Sequence, residues 1–489
     1  MFKKQLLFGL LNLLIVISGY AQNSWSKKLE NIGTFSSPRV SDLNKDGVKD
    51  IILGAGRLEF EHSDSAIIVL DGKTGELLWK NSAIDQMFGS AALQDITKDG
   101  IDDVFINGRS SELYAINGAN GKVIWHFDTL AYSERGKKRW FNFYNPQWIH
   151  DVDQDGFKDI LISNGGDIKV PAFNPNRAAG RLVILSARTG KILADATMPD
   201  NKEIYMSVAI RPDAVHPKLS KFIFGTGGET VGGHLYVGTV EMVLKGDLSK
   251  AKLLSTCEQK GFIAPPAWVD ITNDGIADAV VNSVDGRIMA FDGASFLPLW
   301  ERKLPNTEAY SSMGIGYFNK DKTPDFFVSF AQGTWPDLSW TKQAMIDGAT
   351  GKIEFSDSLG YYQTSSPIAV DFNEDGVDEV LLNVDYQVLD SIGLKSFYNT
   401  LLVISFETKE VVTLVEGIPG HNVASTPWAG DLDNDGFLDI VYSVGTNQFK
   451  TYTFDGLRVN YIGTKIPMTP KHQWGAYMGS EYDGVFKKK

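Results

Sequence analysis

One figure recurs along the chain: a carboxylate, oxygen-bearing residues at intervals of two, a glycine, a further carboxylate and then an apolar run. It reads "DLNKDGVKDIILGAG" from Asp42, "DVDQDGFKD" from Asp151 and "DLDNDGFLD" from Asp431, with further copies from Asp95, Asp270 and Asp371. A weakened copy, "YFNKDKTPD", starts at Tyr317. In the double-length gap after Asp151, "MSVAIRPDAVHPKLSKFIFGTGG" (206–228) keeps a strand, loop, strand pattern without the acids. Starts near 42, 95, 151, 208, 270, 317, 371 and 431 make eight units at a nearly fixed spacing, which marks a repeat architecture.

Downstream of many starts a second text appears: "IIVLDGKTGELLWK" (67–80), "LYAINGANGKVIWHF" (113–127), "IMAFDGASFLPLW" (288–300) and "MIDGATGKIEF" (345–355). Asp-Gly, Asn-Gly and Thr-Gly steps supply the left-handed residues of a hairpin turn, and the flanks are β-branched and aromatic. Each unit therefore reads as an antiparallel sheet of about four strands, and such units stack radially as the blades of a β-propeller. The fold expected is all-β, a single propeller over 22–489, with eight blades as the first choice and seven as the second. "SWSKKL" (24–29) resembles the outer-strand text "LWERKL" (299–304), so the N-terminal strand is expected to complete the last blade. "HQWGAYMGSEYDG" (472–484) reads as the start of a ninth unit, and the sequence leaves open which terminus seals the ring.

Residues 1–21 carry Lys3 and Lys4, an apolar run from Leu6 to Ile17, and Gly19 and Ala21, the layout of a cleaved secretory signal peptide. The expected location is periplasmic, cell-surface or secreted, with no transmembrane segment. The chain has 47 basic and 60 acidic residues, a net of −13 that loss of the leader makes more negative. That balance excludes nucleic acid and anionic membranes as partners and suits a protein that holds cations. Cys257 stands alone, so no intramolecular disulfide can staple the exported, monomeric chain.

In the first figure the oxygen donors are Asp42, Asn44, Asp46, the Val48 carbonyl and Asp50, with Gly47 turning the chain about one point. Calcium accepts six to eight oxygens at about 2.3–2.6 Å in an irregular cage, and the first half of the loop is similar to an EF-hand loop. The figure as a whole resembles the FG-GAP or VCBS-type repeat of integrin α-chain propellers. The hairpin text separately resembles the repeats of quinoprotein-like propellers and of propellers that scaffold outer-membrane assembly.

The first resemblance implies about six calcium sites. Their side chains would be Asp42, Asn44, Asp46, Asp50; Asp95, Thr97, Asp99, Asp103; Asp151, Asp153, Asp155, Asp159; Asp270, Thr272, Asp274, Asp278; Asp371, Asn373, Asp375, Glu379; and Asp431, Asp433, Asp435, Asp439. The third and last sets, with four carboxylates each, are expected to bind tightest. At Tyr317 the figure is expected to be an ordinary turn over Asn319, Asp321 and Asp325, with the Lys322 ammonium in place of a metal. Cations bound only by the folded loops would stabilise the fold, so chelation is expected to lower the melting temperature.

An aromatic precedes the first acid by seven residues at Phe35, Phe88, Tyr144 and Tyr310, with near-equivalents at Phe262, Tyr362 and His421. These rings are expected either to gather at one channel mouth or to pack between blades. The long connection 128–150 and the Trp-rich "AQGTWPDLSWTK" (331–342) add Trp140, Trp148, Trp335 and Trp340 as candidate contacts. The candidate ligand-binding set is thus Trp140, Tyr144, Trp148, Tyr310, Trp335, Trp340 and His421. The function expected is a binding or scaffold module for a glycan or protein, with no assigned catalytic residue. A calcium-dependent polysaccharide lyase is the alternative, drawing on Lys137, Lys138, Arg139, His150 and His421. A quinone-dependent dehydrogenase ranks behind it.

Overall fold

The computed structural model describes residues 24–127, 140–167, 170–361, 364–468 and 474–487; the leader and Lys137–Arg139 lie outside them. The strands form eight antiparallel sheets, the blades of an eight-bladed propeller. Blade 1 runs outward from Arg39–Ser41 through Asp50–Gly54 and Ser63–Leu70 to Leu77–Ala83, and blade 2 from Ala92–Gln94 to Val123–His126. Blades 3 to 7 follow, with innermost strands at Gln147–Trp148, Ala209–Arg211, Ala267–Val269, Gly314–Gly316 and Ile368–Val370. The second and third strands of each blade are the apolar, buried ones: "DIILG" and "SAIIVL" of blade 1 lie almost wholly inside. The core sits between blades, so that one buried cluster joins Ile52 and Val69 of blade 1 to Val104 and Ile106 of blade 2.

The N-terminal strand closes the ring. Trp25–Glu30 pairs antiparallel with Gly456–Pro467 and becomes the outermost strand of blade 8, from Trp25 against Tyr461 to Glu30 against Gly456. Its resemblance to "LWERKL" has a physical basis. The Trp25 indole donates to the Gly72 carbonyl of blade 1 at 2.8 Å, and Trp300 of blade 5 donates likewise to Gly348 of blade 6. Trp79 and Trp125 tie blades 1 and 2 to Gly118 and Ala187 of the next blade. In each dock the ring lies over a left-handed glycine of the neighbouring hairpin: Gly75, Gly121, Gly190 and Gly351, where a Cβ would fall within 3 Å of the indole.

The C-terminal segment does not begin a ninth blade. Innermost strands leave N–H groups facing the channel with no strand to receive them. Residues 474–487 run through the channel and supply the carbonyls: Trp474 to Ala369, Gly475 to Ala429 and Gly484 to Trp268. Val485–Phe486 then pairs parallel with Trp268–Val269. Trp474 is buried and donates to the Met313 carbonyl, and Tyr482 lies 3.9 Å beneath the buried Arg39 guanidinium. The channel is therefore stoppered by residues 474–487.

Candidate functional site

Where the acidic figure is present, the innermost strand runs from a mouth-side turn to an acidic loop, which places two sets of candidate residues on opposite faces. At the mouth Phe35, Phe88, Tyr144, Tyr205 and Tyr310, from blades 1, 2, 3, 4 and 6, line one bowl of about 200 Å³. Ile263, Thr364 and Ala424 hold the same place in blades 5, 7 and 8, and Tyr477 of the C-terminal segment forms part of the lining. The gathering of Phe35, Phe88, Tyr144 and Tyr310 follows from their common phase in the repeat. Two of the near-equivalents, Phe262 and His421, do not join them. Phe262 is fully buried between blades, and His421 is buried with its two ring nitrogens against the Asn447 and Thr451 carbonyls. Tyr362 is outside the described residues.

Below the rings a belt of hydrogen bonds circles the channel. Ser312 N–H donates to Ser366 Oγ, Ser366 to Thr426, Thr426 to Ser37, Ser37 to Ser90 and Ser90 to Asn145, each within 3.0 Å. Asn145 continues to Ser207 at 3.2 Å. The belt breaks at blade 5, where Pro265 has neither hydroxyl nor N–H, and there the Ser312 hydroxyl donates to the Pro265 carbonyl instead. Ion pairs back the rings: Arg109 lies 4.7 Å over Phe88 and pairs with Glu59, Arg177 and Glu203 hold the Tyr205 hydroxyl, and Lys260 pairs with Glu308 behind Tyr310. Burial first, then the Glu203 carboxylate, pushes the Tyr205 phenol far up, so it stays protonated.

The remaining candidates are dispersed. Trp335 lies in a groove beside the bowl, and half-exposed Trp340 rests 6.4 Å from Tyr361 of that groove. Trp140 and Trp148 pack on the core between blades 2 and 3, against Phe127 and Phe105, and line neither. His150 sits beside Asp151 at the acidic end of blade 3 and His421 against the Asn447 and Thr451 carbonyls, so these two lyase candidates lie apart; Lys137, Lys138 and Arg139 are outside the described residues.

On the opposite face the six acidic loops share one geometry. The first carboxylate accepts the N–H of the glycine five residues on, as Asp42 does from Gly47 and Asp431 from Gly436, at 2.8–3.2 Å. The fourth residue is left-handed, Lys45 and Asn434 among them. The acid eight residues after the first is buried and tied to backbone: Asp50 accepts from Leu43 and Gly72, Asp278 from Ile271, Thr272 and Gly293. This carboxylate knits the loop to the hairpin of its own blade, a structural role that spacing alone does not reveal.

Oxygens of three acids come within 4.8 Å of one another in two of the expected loops, Asp151, Asp153, Asp159 and Asp431, Asp433, Asp439. These are the two four-carboxylate sets. A third group is Asp321, Asp325 and Asp347. There the hairpin residue Asp347, absent from the figure itself, folds back onto Asp321 and Asp325. Lys322 is exposed and forms no ion pair with the group. Burial, with neighbouring carboxylates adding to it, pushes Asp159 up to about 6, Asp439 to about 7 and Asp325 to about 8.

A family model described as outer membrane protein assembly factor BamB matches residues 40–141. The match points to PQQ-type repeats over the first two blades. This corrects the FG-GAP or VCBS resemblance drawn from the acidic figure: the matched stretch carries the docked-tryptophan hairpins of blades 1 and 2, and the last acid of the figure is spent on backbone donors. Among curated proteins, the chain is 20% identical to protein FAM234B of Mus musculus over 389 residues, 71% of this chain and 56% of that protein. The human FAM234B aligns over 371 residues at 20%, covering 68% and 54%. The chain spans about half the length of the curated relatives it matches. Among solved structures, a quinohemoprotein alcohol dehydrogenase from Comamonas testosteroni has a TM-score of 0.58 at 13% identity, covering 92% of this chain and 78% of that one. A europium-containing methanol dehydrogenase has a TM-score of 0.60 at 11% identity, covering 90% and 93%. These likenesses show the fold. No helix among the described residues is long and apolar enough to cross a membrane.

Proposed function

We propose that the chain is an exported, non-catalytic binding propeller that presents its aromatic mouth to a glycan or protein and carries calcium in the loops of the opposite face. The observation that carries the reading is the bowl: five of eight blades place a ring at one repeat position, over a channel closed from within. At about 200 Å³ the bowl is smaller than the roughly 300–1,000 Å³ of pockets that enclose small molecules. A macromolecule laid across the face suits it better than a swallowed ligand.

The same space argues against a quinone in the channel. Arg39, Trp474 and Met478 fill the channel beneath the bowl and are almost wholly buried, so the residues there do not fit such a cofactor. Calcium does suit the acidic loops: three carboxylates converge in each of the Asp151 and Asp431 sets, and burial raises the innermost acid of each, which a cation would offset. Bound there, calcium would fix the loops and with them the ends of the innermost strands.

The test is a glycan array and in-cell cross-linking with the purified or tagged chain, with calcium and with chelator, alongside the Phe88→Ala/Tyr205→Ala variant. The reading expects a ligand that the variant loses while it still unfolds in one cooperative transition. A ligand retained in full by the variant would overturn it.

A further inference from the structure

Beside the bowl the mouth face rises into walls. The second and third strands of blades 6 and 7 run ten or eleven residues, Asp325–Thr334 with Asp337–Ile346 and Glu379–Leu389 with Lys395–Ser405, against five in the second strands of blades 1 and 2. The five or six extra residues extend the strands by roughly 17–20 Å at about 3.3 Å per residue. Between these hairpins and the 449–453 loop of blade 8 lies a groove of about 670 Å³. Trp335, Tyr361, Phe449 and Tyr452 supply its rings, and Lys395 and Lys450 its charge. Tyr452 stands 6.3 Å from Phe35, so the groove opens into the bowl.

Two features narrow the occupant. No carboxylate lines the groove, although the chain as a whole carries a net of −13, and neither lysine forms an ion pair among the described residues. Three backbone donors beside it are already taken. Thr341 N–H donates to Gly360, Phe397 N–H to Gln448 and Gly420 N–H to Phe397. A peptide therefore finds these edge donors closed to it. What remains on offer is ring faces from three blades and two unpaired ammonium groups. Ring faces stack on the C–H faces of sugars, and the ammonium groups make charge-assisted hydrogen bonds to carboxylate or sulfate oxygens.

We propose that this groove seats an anionic saccharide, its sugar faces against Trp335, Phe449 and Tyr452 and its acid groups on Lys395 and Lys450. The inference rests on the reading of the mouth as the ligand-bearing face and adds a site of its own. The test is calorimetric titration of the full mature chain with short oligogalacturonate, a sulfated carrageenan oligosaccharide, a neutral xylo-oligosaccharide and a poly-glutamate peptide. One or both anionic saccharides should bind, more weakly at high salt, and the two arms tell carboxylate from sulfate. Lys395→Ala/Lys450→Ala, on exposed side chains, should weaken binding by about tenfold or more at unchanged melting temperature. Trp335→Ala should weaken it further. Failure of both anionic saccharides, equal binding of the neutral one, tighter binding of poly-glutamate, or a double-lysine variant that binds like the parent would each overturn the proposal. A ligand lost with Phe88→Ala/Tyr205→Ala but kept by the lysine variant would refute the groove and leave the bowl standing.

Discussion

Replacing Gly351 by Ala should cost more than its backbone alone accounts for. The residue is left-handed, φ +68°, and a Cβ there would sit 2.7 Å from the Trp300 ring. An L-residue in that conformation costs about 1–2 kcal/mol by itself. The ring has little room to retreat, because Trp300 is buried, donates to Gly348 at 2.8 Å and lies 5.8 Å from Phe326. Pushing it back to ordinary contact overpacks the seam between blades 5 and 6, at about 1–3 kcal/mol, and loosens a hydrogen bond worth about 1 kcal/mol. The expected total for Gly351→Ala is about 3–4 kcal/mol. Gly393→Ala, at φ +82° with nothing within 4 Å, serves as the control at about 1–2 kcal/mol. In a Trp300→Ala background, itself costing about 3–5 kcal/mol, the Gly351 substitution should fall back to the control value. Urea unfolding of the four members of this cycle reads the coupling, expected at about 2 kcal/mol. Additivity to within about 0.5 kcal/mol would refute the claim that the docked indole sets the spacing between blades.

Calcium removal should lower the melting midpoint by about 3 °C per occupied site. A chain of 489 residues unfolds with an entropy near 1 kcal/mol/K, and a site at a hundred times its Kd adds about 2.7 kcal/mol. A thermal scan with and without chelator checks this, and the Asp153→Asn/Asp433→Asn variant should lose the calcium-dependent part. Asp385, buried in blade 7 and bonded by Asn399 and the Asn422 N–H, is pushed up to about 7 by burial. A raised acid stays protonated in the folded state, so its contribution is complete below the unfolded value near 3.8 and is lost as pH rises through 7. Parent minus Asp385→Asn stability, from urea unfolding in excess calcium, should fall by up to about 1.4 kcal/mol per pH unit across that window; a flat difference contradicts it. Trp474→Ala should cost about 3–5 kcal/mol and bring forward proteolysis of the C-terminal segment, a pair of effects that pulse proteolysis and unfolding curves report together.

The repeat was readable because turns demand particular residues. Gly47 and its counterparts are left-handed in every acidic loop, as are Gly75 and Gly351 in the hairpins, so the period stands out even where the strands differ. Ring closure was half-readable: Trp25 and Trp300 occupy similar text because they perform the same dock. The fate of the C-terminal segment was not, since the partners of Trp474, Tyr477 and Tyr482 lie in other blades far away in the chain. Tyr205 was missed because blade 4 had lost the acids used to set the phase. The better marker was the belt residue just after the ring, seen in "FSS", "FGS", "YMS" and "YSS". The acidic figure misdirected the family resemblance because its Asp-rich turn answers a local backbone need, the N–H of the glycine five residues on, and the hairpin Asp347 shows how distant residues complete what the figure leaves out.

The central claim is that the mouth, not the acidic face, meets the ligand. The most direct measurement places a photoreactive residue at Tyr310 in the bowl and, as control, at Leu297, which is 63% exposed on the hairpin side of blade 5. After irradiation in cells, adducts are compared. The account predicts a discrete adduct from position 310 and none from 297. The reverse pattern, or the same adducts from both, would contradict it.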